Sequence, residues 1–215
     1  MDTSFWLKKW EDNNIAFHKS EANPALVKHF KSLSLAPGDR IFLPLCGKTL
    51  DIGWLLSNGY RVAGAELSKI AIEQLFAELG VSPEISDVGS EASPLKHYSA
   101  TNLDIFVGNL FNLSRELLGP VNAIYDRAAL VALPPEMRDR YTPHLIKITQ
   151  TAPQLLICFE YDQTVMSGPP FSISPEEVTK HYSSSYTLTS LESENIPGGL
   201  KGKCESTQTV WRLQS

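Results

Sequence analysis

Cysteine is scarce in this sequence and is not arranged in pairs. The 215 residues include three cysteines, Cys46, Cys158 and Cys204, which are widely separated and show no Cys-x-x-Cys spacing. A disulfide framework needs an even set of cysteines, and a structural zinc site needs closely spaced ligands. We therefore expect reduced thiols and predict no metal site.

Positive charge is also in short supply. The chain carries 19 lysine and arginine residues against 24 acidic ones, for a net charge of −5, and it has no basic run. A protein that binds the phosphate backbone of nucleic acids depends on clustered lysine and arginine. The composition therefore argues against a nucleic acid as partner.

Long hydrophobic runs are absent as well. The opening segment MDTSFWLKKWEDNN lacks the apolar stretch of a secretion signal. No later stretch approaches the roughly twenty apolar residues of a membrane span. We therefore expect a cytoplasmic location and no membrane partner. The length suits one domain, residues 1–215, and we expect a monomer that acts on a small molecule.

Strands and helices are predicted to alternate along most of the chain. Apolar runs typical of buried strands are separated by helical patterns, and residues 82–94 are predicted as a surface loop. The predicted strands are RIFLPL, YRVAGAE, LDIFVGN, VNAIYDRAAL, QLLICFEY, SYTLTSLES and STQTVWRL. Such alternation predicts an α/β fold with a mostly parallel sheet and helices on both faces.

The first 35 residues lie outside this alternation. The segment SFWLKKWED places Trp6 and Trp10 four residues apart on one helical face, and a second helix is predicted near residues 24–33. We predict that residues 1–35 form a helical lid on an α/β core of residues 36–215. An aromatic pair at this spacing is also typical of ordinary core packing, so both roles stay open for Trp10.

The ends of the predicted strands are where a parallel sheet of this type binds its ligands. Glu66 ends the second predicted strand, nineteen positions after Gly47. In nucleotide-binding sheets, roughly twenty residues separate a phosphate-loop glycine from the acid that holds the ribose. We therefore favour Glu66 as a ribose-binding carboxylate. The alternative is that Glu66 supports the start of the helix that opens at Ser68.

Glycine is sparse in the loop after the first predicted strand. A pyrophosphate needs the close backbone approach that Gly-x-Gly-x-x-Gly provides, whereas Leu45-Cys46-Gly47-Lys48 contains a single glycine. A dinucleotide is therefore disfavoured, and S-adenosylmethionine, which keeps the adenosine but has no pyrophosphate, fits better. Taken alone, Gly47 would indicate a plain strand-to-helix turn, and Cys46 a small buried side chain rather than a nucleophile.

Four segments of the chain form a recognisable combination: FWLKKWEDNNIAFHKSEANP, FLPLCGKTLDIGWLLSNGYRVAGAELS, YDRAALVALPPEMRDRY and EYDQTVMSGPPFSIS. They follow one another over residues 5 to about 180. Together they resemble the thiopurine S-methyltransferase family, in particular its bacterial members. The resemblance implies the seven-stranded class I S-adenosylmethionine-dependent methyltransferase fold. It also implies methyl transfer to the thiol or thione sulfur of aromatic and heterocyclic acceptors.

The resemblance further implies roles for individual residues. Trp10 would help to wall the cofactor, and Leu45 would contribute backbone at its methionine end. Phe17 would lie at the acceptor pocket, and Arg127 would border both cofactor and acceptor as the catalytic positioning residue, with no general base assigned. With the strand-end argument included, the predicted cofactor-binding residues are Trp10, Leu45, Gly47, Glu66, Asn109, Leu110 and Arg127.

The residues taken by themselves leave other interpretations open. A lone arginine after a strand, such as Arg127, is more often a surface or ion-pair residue, here with Asp126 as a candidate partner. Asp126 can instead cap the segment that follows it. His18 and the segment Tyr161-Asp162-Gln163 invite acid–base proposals, but we favour them as structural hydrogen-bonding groups.

Two features depart from the family pattern. Ala16 stands where relatives commonly have glycine, and the tail IPGGLKGKCESTQTVWRL offers no counterpart of a second substrate-side arginine. Lys201 or Lys203 are candidate substitutes, although lysine is a point charge without the planar fork of arginine. The choice of acceptor is therefore the least constrained part of the prediction.

Three other functions compete with thiol methylation. The acceptor can be a small chalcogen species, such as hydrosulfide or a selenium or tellurium compound. The protein can also bind S-adenosylmethionine without turnover. A nicotinamide-dependent oxidoreductase is the third alternative, and the missing glycines argue against it.

Overall fold

The computed structural model of the chain describes residues 3–14 and 21–215. These residues form two compact units, one that ends at Asn122 and one from Ala123 to Ser215. The prediction of one domain with an N-terminal lid stays a prediction. In the described ranges, no helix has both the length and the apolar character that a membrane crossing requires.

The first unit contains five strands and five α-helices among its described residues. Its strands are β1 (Arg40–Pro44), β2 (Arg61–Glu66), β3 (Glu84–Ser90), β4 (Ser93–Ala100) and β5 (Leu103–Gly108). Its helices are α1 (Thr3–Glu11), α2 (Pro24–His29), α3 (Asp51–Ser57), α4 (Lys69–Leu79) and the short α5 (Arg115–Leu118). The strand order is β3-β4-β5-β2-β1, with β1, β2 and β5 parallel and β3 and β4 antiparallel.

The second unit contains four strands. They are β6 (Ala123–Arg127), β7 (Gln154–Tyr161), β8 (Thr187–Asn195) and β9 (Ser206–Gln214). The helices are α6 (Pro135–Thr149) and α7 (Pro175–Tyr182). The strand order is β6-β7-β9-β8, in which β6 and β7 are parallel and the two later strands are antiparallel.

Helix α4 shows why the predicted elements form where they do. Ser68 caps its first turn by accepting a hydrogen bond from the Ala71 N–H at 3.2 Å. Gly80 ends it in the left-handed conformation, with φ of 67°. Between them Ile72, Leu75 and Phe76 are buried against the sheet, so the helix gains its stability from one apolar face.

The structure corrects one part of the predicted sheet. Residues 82–94, predicted as a surface loop, contain β3 and the start of β4, so the described residues form nine strands and not seven. Strand β3 is exposed along almost its whole length, and only Leu95 and Tyr98 of β4 are buried. A strand that buries so little shows no apolar alternation, and pairing with β5 stabilises the hairpin instead.

Candidate active site

Three neighbouring strands of the first unit bring most of the predicted site residues to one edge. In the parallel register, Pro44 of β1 lies opposite Ala65 of β2, and Glu66 of β2 lies opposite Val107 of β5. The residues that end or follow these strands therefore lie side by side, because adjacent strands are about 4.8 Å apart. The predicted residues at this edge are Leu45, Gly47, Glu66, Asn109 and Leu110.

The Glu66 carboxylate is the centre of this edge. Its side chain is 6 % exposed, and its two oxygens each accept a backbone N–H at 2.8 Å, one from Gly47 and one from Ser68. Burial raises the pKa of Glu66, while hydrogen bonds from the Ser68, Gly47 and Leu67 backbone oppose that rise. A carboxylate has about four acceptor sites, so capacity remains for further donors.

Support of a helix start does not account for Glu66 by itself. The first turn of α4 is capped by the Ser68 hydroxyl, which accepts from Ala71. Glu66 does accept the Ser68 N–H, as the alternative interpretation expects. However, its bond to Gly47 reaches 19 residues back in the chain, to the turn after β1. The carboxylate therefore joins two loops at the strand ends, where a ligand is expected.

The turn after β1 has an unusual backbone. Leu45 has φ of 48° and Gly47 has φ of 54°, so two residues within three adopt the left-handed region. A non-glycine residue in this region is uncommon, and such residues cluster at functional sites. At Gly47 an added Cβ would lie 3.1 Å from Cζ2 of Trp10, so the indole ring packs directly on the glycine.

Trp10 packs against the loop after β1, at Gly47. It belongs to α1 and is 4 % exposed, which confirms its interpretation as a packing anchor. Its role in walling a cofactor stays a prediction. Phe17, Ala16 and His18 lie outside the described residues, so their predicted places are not addressed by the structure.

Two side chains of the same loop are accounted for by local contacts. Lys48 forms a salt bridge with Glu78 of α4 at 2.6 Å, a contact that the sequence gave no reason to expect. Cys46 is buried, and this burial, together with the nearby Glu66 charge, raises its pKa well above the usual value. A thiol in this state is a poor nucleophile, which agrees with its interpretation as a small apolar side chain.

The residues after β5 complete this edge. The Asn109 side-chain oxygen accepts the Phe111 N–H at 3.0 Å and starts a turn of 3₁₀ helix at residues 110–112. Asn109 is exposed, whereas Leu110 is 5 % exposed. This pair places a polar group and an apolar side chain next to each other, and their role in binding the cofactor stays a prediction.

Arg127 lies in the second unit, at the end of β6. It is half-buried, and within residues 3–14 and 21–215 its guanidinium forms no hydrogen bond or salt bridge. The alternative ion pair with Asp126 is therefore not formed. Asp126 is fully buried and accepts from the Leu130 N–H at 3.1 Å, so its predicted capping role is confirmed.

The polar residues of the loop after β7 form hydrogen bonds within the loop. The Tyr161 hydroxyl donates to the Pro170 carbonyl at 2.6 Å, and Gln163 donates to the Met166 carbonyl at 2.6 Å. Asp162 accepts from Thr164 in a local turn. Their interpretation as structural hydrogen-bonding groups is therefore confirmed.

Lys201 reaches the same loop from the tail. Its ammonium donates to the Pro169 carbonyl at 2.9 Å, so the tail and the loop after β7 are joined. This contact gives Lys201 a structural role, and its candidacy as an acceptor-binding cation stays a prediction. Across the described ranges, no cluster of three or more metal-ligand side chains occurs.

Comparisons with known proteins place this geometry in a family. A profile of the thiopurine S-methyltransferase family matches residues 1–211. A thiopurine S-methyltransferase of Xanthobacter autotrophicus is 54% identical over 215 residues, which cover 100% of this chain and 99% of that relative.

Solved structures agree on the fold. A SAM-dependent methyltransferase of Anabaena variabilis superposes with a TM-score of 0.65 at 14% identity, covering 99% of this chain and 95% of that one. The 1,6-didemethyltoxoflavin-N1-methyltransferase of Burkholderia thailandensis, solved with S-adenosylhomocysteine, has a TM-score of 0.65 at 14% identity, with 99% and 87% coverage. The fold is that of class I methyltransferases, as predicted, and the chain belongs to the thiopurine S-methyltransferase family.

Proposed function

We propose that this protein transfers a methyl group from S-adenosylmethionine to the sulfur of aromatic or heterocyclic thiols and thiones. The observation that carries the proposal is the buried Glu66 carboxylate, which is tied to the Gly47 N–H at the ends of β1 and β2. Membership of the family supports the same reaction. When bound, S-adenosylmethionine supplies an electrophilic methyl group on a sulfonium.

The residues present at this edge fit that cofactor. Glu66 has acceptor capacity left for the two ribose hydroxyls, a charge-assisted contact. The turn through Leu45 and Gly47 presents backbone, and a side chain at position 47 would meet Trp10. Asn109 and Leu110 offer a polar group and an apolar surface of the kind that holds a purine.

The same edge fits a dinucleotide poorly. A pyrophosphate carries two negative charges and binds best where glycine-rich backbone or a free cation faces it. The Lys48 ammonium is instead held by Glu78 at 2.6 Å, and its side chain is only 11% exposed. The loop therefore supports S-adenosylmethionine over a nicotinamide cofactor.

The chemistry asks little of the protein beyond positioning. The acceptor sulfur forms one carbon–sulfur bond as the sulfonium carbon–sulfur bond breaks, and a thiol proton, where present, is lost to solvent. Acidic aromatic thiols are partly ionised near neutral pH, so no general base is required. A covalent enzyme intermediate on Cys46 is disfavoured, because burial raises the pKa of that thiol.

Arg127 is our proposal for the residue that favours the acceptor anion. Its half-buried guanidinium is unpaired within the described residues, so it can bind an anionic sulfur or a water beside the heterocycle. We expect Arg127→Ala to lower kcat/KM for thiophenol by about 10- to 100-fold, the scale of a lost charged hydrogen bond. Steady-state kinetics with labelled cofactor measures this.

Arg115→Ala is the matched control for that variant. Arg115 lies on α5 in an exposed position, so its loss removes an arginine from a different element than β6, which carries Arg127. We expect its kcat/KM to stay within about twofold of the wild type. Equal kinetic constants for Arg127→Ala and the wild type would remove the proposed role of Arg127.

A panel of acceptors tests the substrate class. We expect thiophenol and 6-mercaptopurine to be methylated with kcat/KM at least about tenfold above hydrosulfide, because burial of an aromatic ring adds binding energy that a small anion lacks. Product formation is followed by mass spectrometry at one fixed pH. Preference for hydrosulfide would assign the protein to small chalcogen acceptors, and binding of the cofactor without any turnover would make it a non-catalytic binder.

A further inference from the structure

A buried carboxylate stands directly before Arg127 in the chain. Asp126 is 0 % exposed, and the Tyr141 hydroxyl of α6 donates to one of its oxygens at 2.6 Å. The other oxygen accepts the Leu130 N–H at 3.1 Å. Asp126 therefore receives donors from the turn that follows β6 and from a separate helix.

These bonds surround the turn on which Arg127 lies. Ala128 adopts the left-handed region with φ of 64°, a conformation that alanine rarely adopts, and Ala129 is fully buried. A non-glycine residue persists in this region only where its surroundings hold it there. Asp126 accepts the N–H of Leu130, four positions along the chain, and so it restrains the path of the backbone on the far side of Ala128.

A purely structural cap would not require a carboxylate at this position. A buried carboxylate costs stability, and among the described residues no basic side chain forms a salt bridge with Asp126. The Leu130 N–H and the Tyr141 hydroxyl donate to different oxygens of Asp126, whereas asparagine has a single acceptor oxygen, so only a carboxylate accepts both donors in this arrangement. The carboxylate and its tyrosine donor therefore form a rigid connection between α6 and the turn.

We propose that Asp126 and Tyr141 are a positioning pair that fixes the turn carrying Arg127, so that the guanidinium is held ready for the acceptor. The inference rests on the proposed role of Arg127 and extends it to two residues that do not themselves touch substrate. Tyr141 is fully buried on α6 and its hydroxyl donates to Asp126 at 2.6 Å, so it acts as a fixed anchor. Neighbouring residues on β6 point to opposite faces, which separates the anchor from the working side chain.

Tyr141→Phe tests the pair, and Tyr182→Phe is its matched control. Both tyrosines are fully buried in the second unit, but among the described residues the Tyr182 hydroxyl forms no hydrogen bond with Asp126. We expect Tyr141→Phe to lower kcat/KM for thiophenol about tenfold, because a small displacement of a positioned group is costly. Tyr182→Phe should stay within about twofold of the wild type.

Combination with Arg127→Ala separates positioning from general damage to the fold. If the pair acts through the arginine, Tyr141→Phe should change kcat/KM by less than about twofold once Arg127 is alanine. Amide hydrogen exchange at Leu130 gives a readout that does not depend on turnover, and we expect it to be about tenfold faster in Tyr141→Phe but unchanged in Tyr182→Phe.

The results that would overturn the positioning pair differ from those that would overturn the proposed function. Equal effects of the two tyrosine variants, a tenfold loss that persists without Arg127, or unchanged exchange at Leu130 would overturn the positioning pair while leaving the proposed function in place. Normal turnover in Arg127→Ala would overturn the role of Arg127 and this inference with it. A wild-type protein that binds the cofactor and methylates neither thiophenol nor 6-mercaptopurine would contradict the proposed function itself.

Discussion

Glu66→Gln should raise the Kd for S-adenosylmethionine by about 100-fold. The proposed ribose contact consists of two charge-assisted hydrogen bonds, and their loss costs roughly 3 kcal/mol, which corresponds to about two decades of affinity. The amide also presents an N–H₂ group where the carboxylate accepts from Gly47 and Ser68. Isothermal titration calorimetry below the unfolding temperature measures the change.

Ser68→Ala separates ribose binding from support of the helix. It removes the hydroxyl that caps α4 but keeps the Glu66 carboxylate and the backbone N–H that binds it. We expect a loss of about 1 kcal/mol in the free energy of unfolding and a Kd within about threefold of the wild type. If Glu66→Gln lost stability and kept its affinity for the cofactor, the helix-start interpretation would replace the ribose-binding one.

Asp126→Asn should remove a pH dependence of stability that amounts to roughly 3 kcal/mol. Burial raises the pKa of Asp126 from 3.8 to about 6, against the opposing effect of its hydrogen bonds from Tyr141, Leu130 and Ala129. Between these two values the folded state binds more protons than the unfolded state. The free energy of unfolding therefore falls as pH rises through this window, and the cost is fully present above about pH 6.

Urea unfolding of both proteins at pH 4, 5, 6 and 7 is the corresponding measurement, with about 1.4 kcal/mol expected per pKa unit. The difference between wild type and Asp126→Asn cancels the groups that titrate in both. Tyr141, Tyr182 and Cys158 contribute little, because burial raises their pKa values well above the ordinary ones. Stability curves that run parallel across the range would show that Asp126 titrates with an ordinary pKa.

Local signals in the sequence were sufficient for the elements around the site. Helix α4 begins after Ser68, which caps its first turn, and ends at Gly80, which adopts the left-handed conformation. Both residues form hydrogen bonds with neighbours three or four positions away. The spacing of Gly47 and Glu66 places both residues at the same edge of the sheet, because parallel βα units repeat with a nearly constant length. The hydrogen bond of 2.8 Å from the Gly47 N–H to the Glu66 carboxylate shows that they lie side by side there.

The contacts that the sequence missed join distant parts of the chain. The packing of Trp10 on Gly47 depends on how α1 lies on the first unit, and helical periodicity gives a face but not its partner. The bond from Tyr141 to Asp126 has the same origin, since a tyrosine within a helix carries no sign of its acceptor. Strand β3 was missed because its residues are almost all exposed, so its sequence shows no alternation of apolar and polar residues.

The interpretation of Arg127 shows how geometry decides between adjacent residues. Opposite charges at positions 126 and 127 suggested an ion pair, but successive side chains of a strand point to opposite faces. Asp126 is therefore buried against α6, while Arg127 is half-buried and unpaired in the part of the chain that the structure describes. An unpaired arginine beside a buried, fixed carboxylate favours a binding role over a structural one.

Transfer of label from methyl-labelled S-adenosylmethionine to thiophenol is the direct measure of S-methylation by this protein. The purified protein, the labelled cofactor and the thiol are incubated together, and label is followed into the organic phase with a control that lacks the protein. We expect label in methyl phenyl sulfide well above that control, and loss of most of this signal in Glu66→Gln. Label that stays with the cofactor, in a protein that calorimetry shows to bind it, would contradict S-methylation of aromatic thiols.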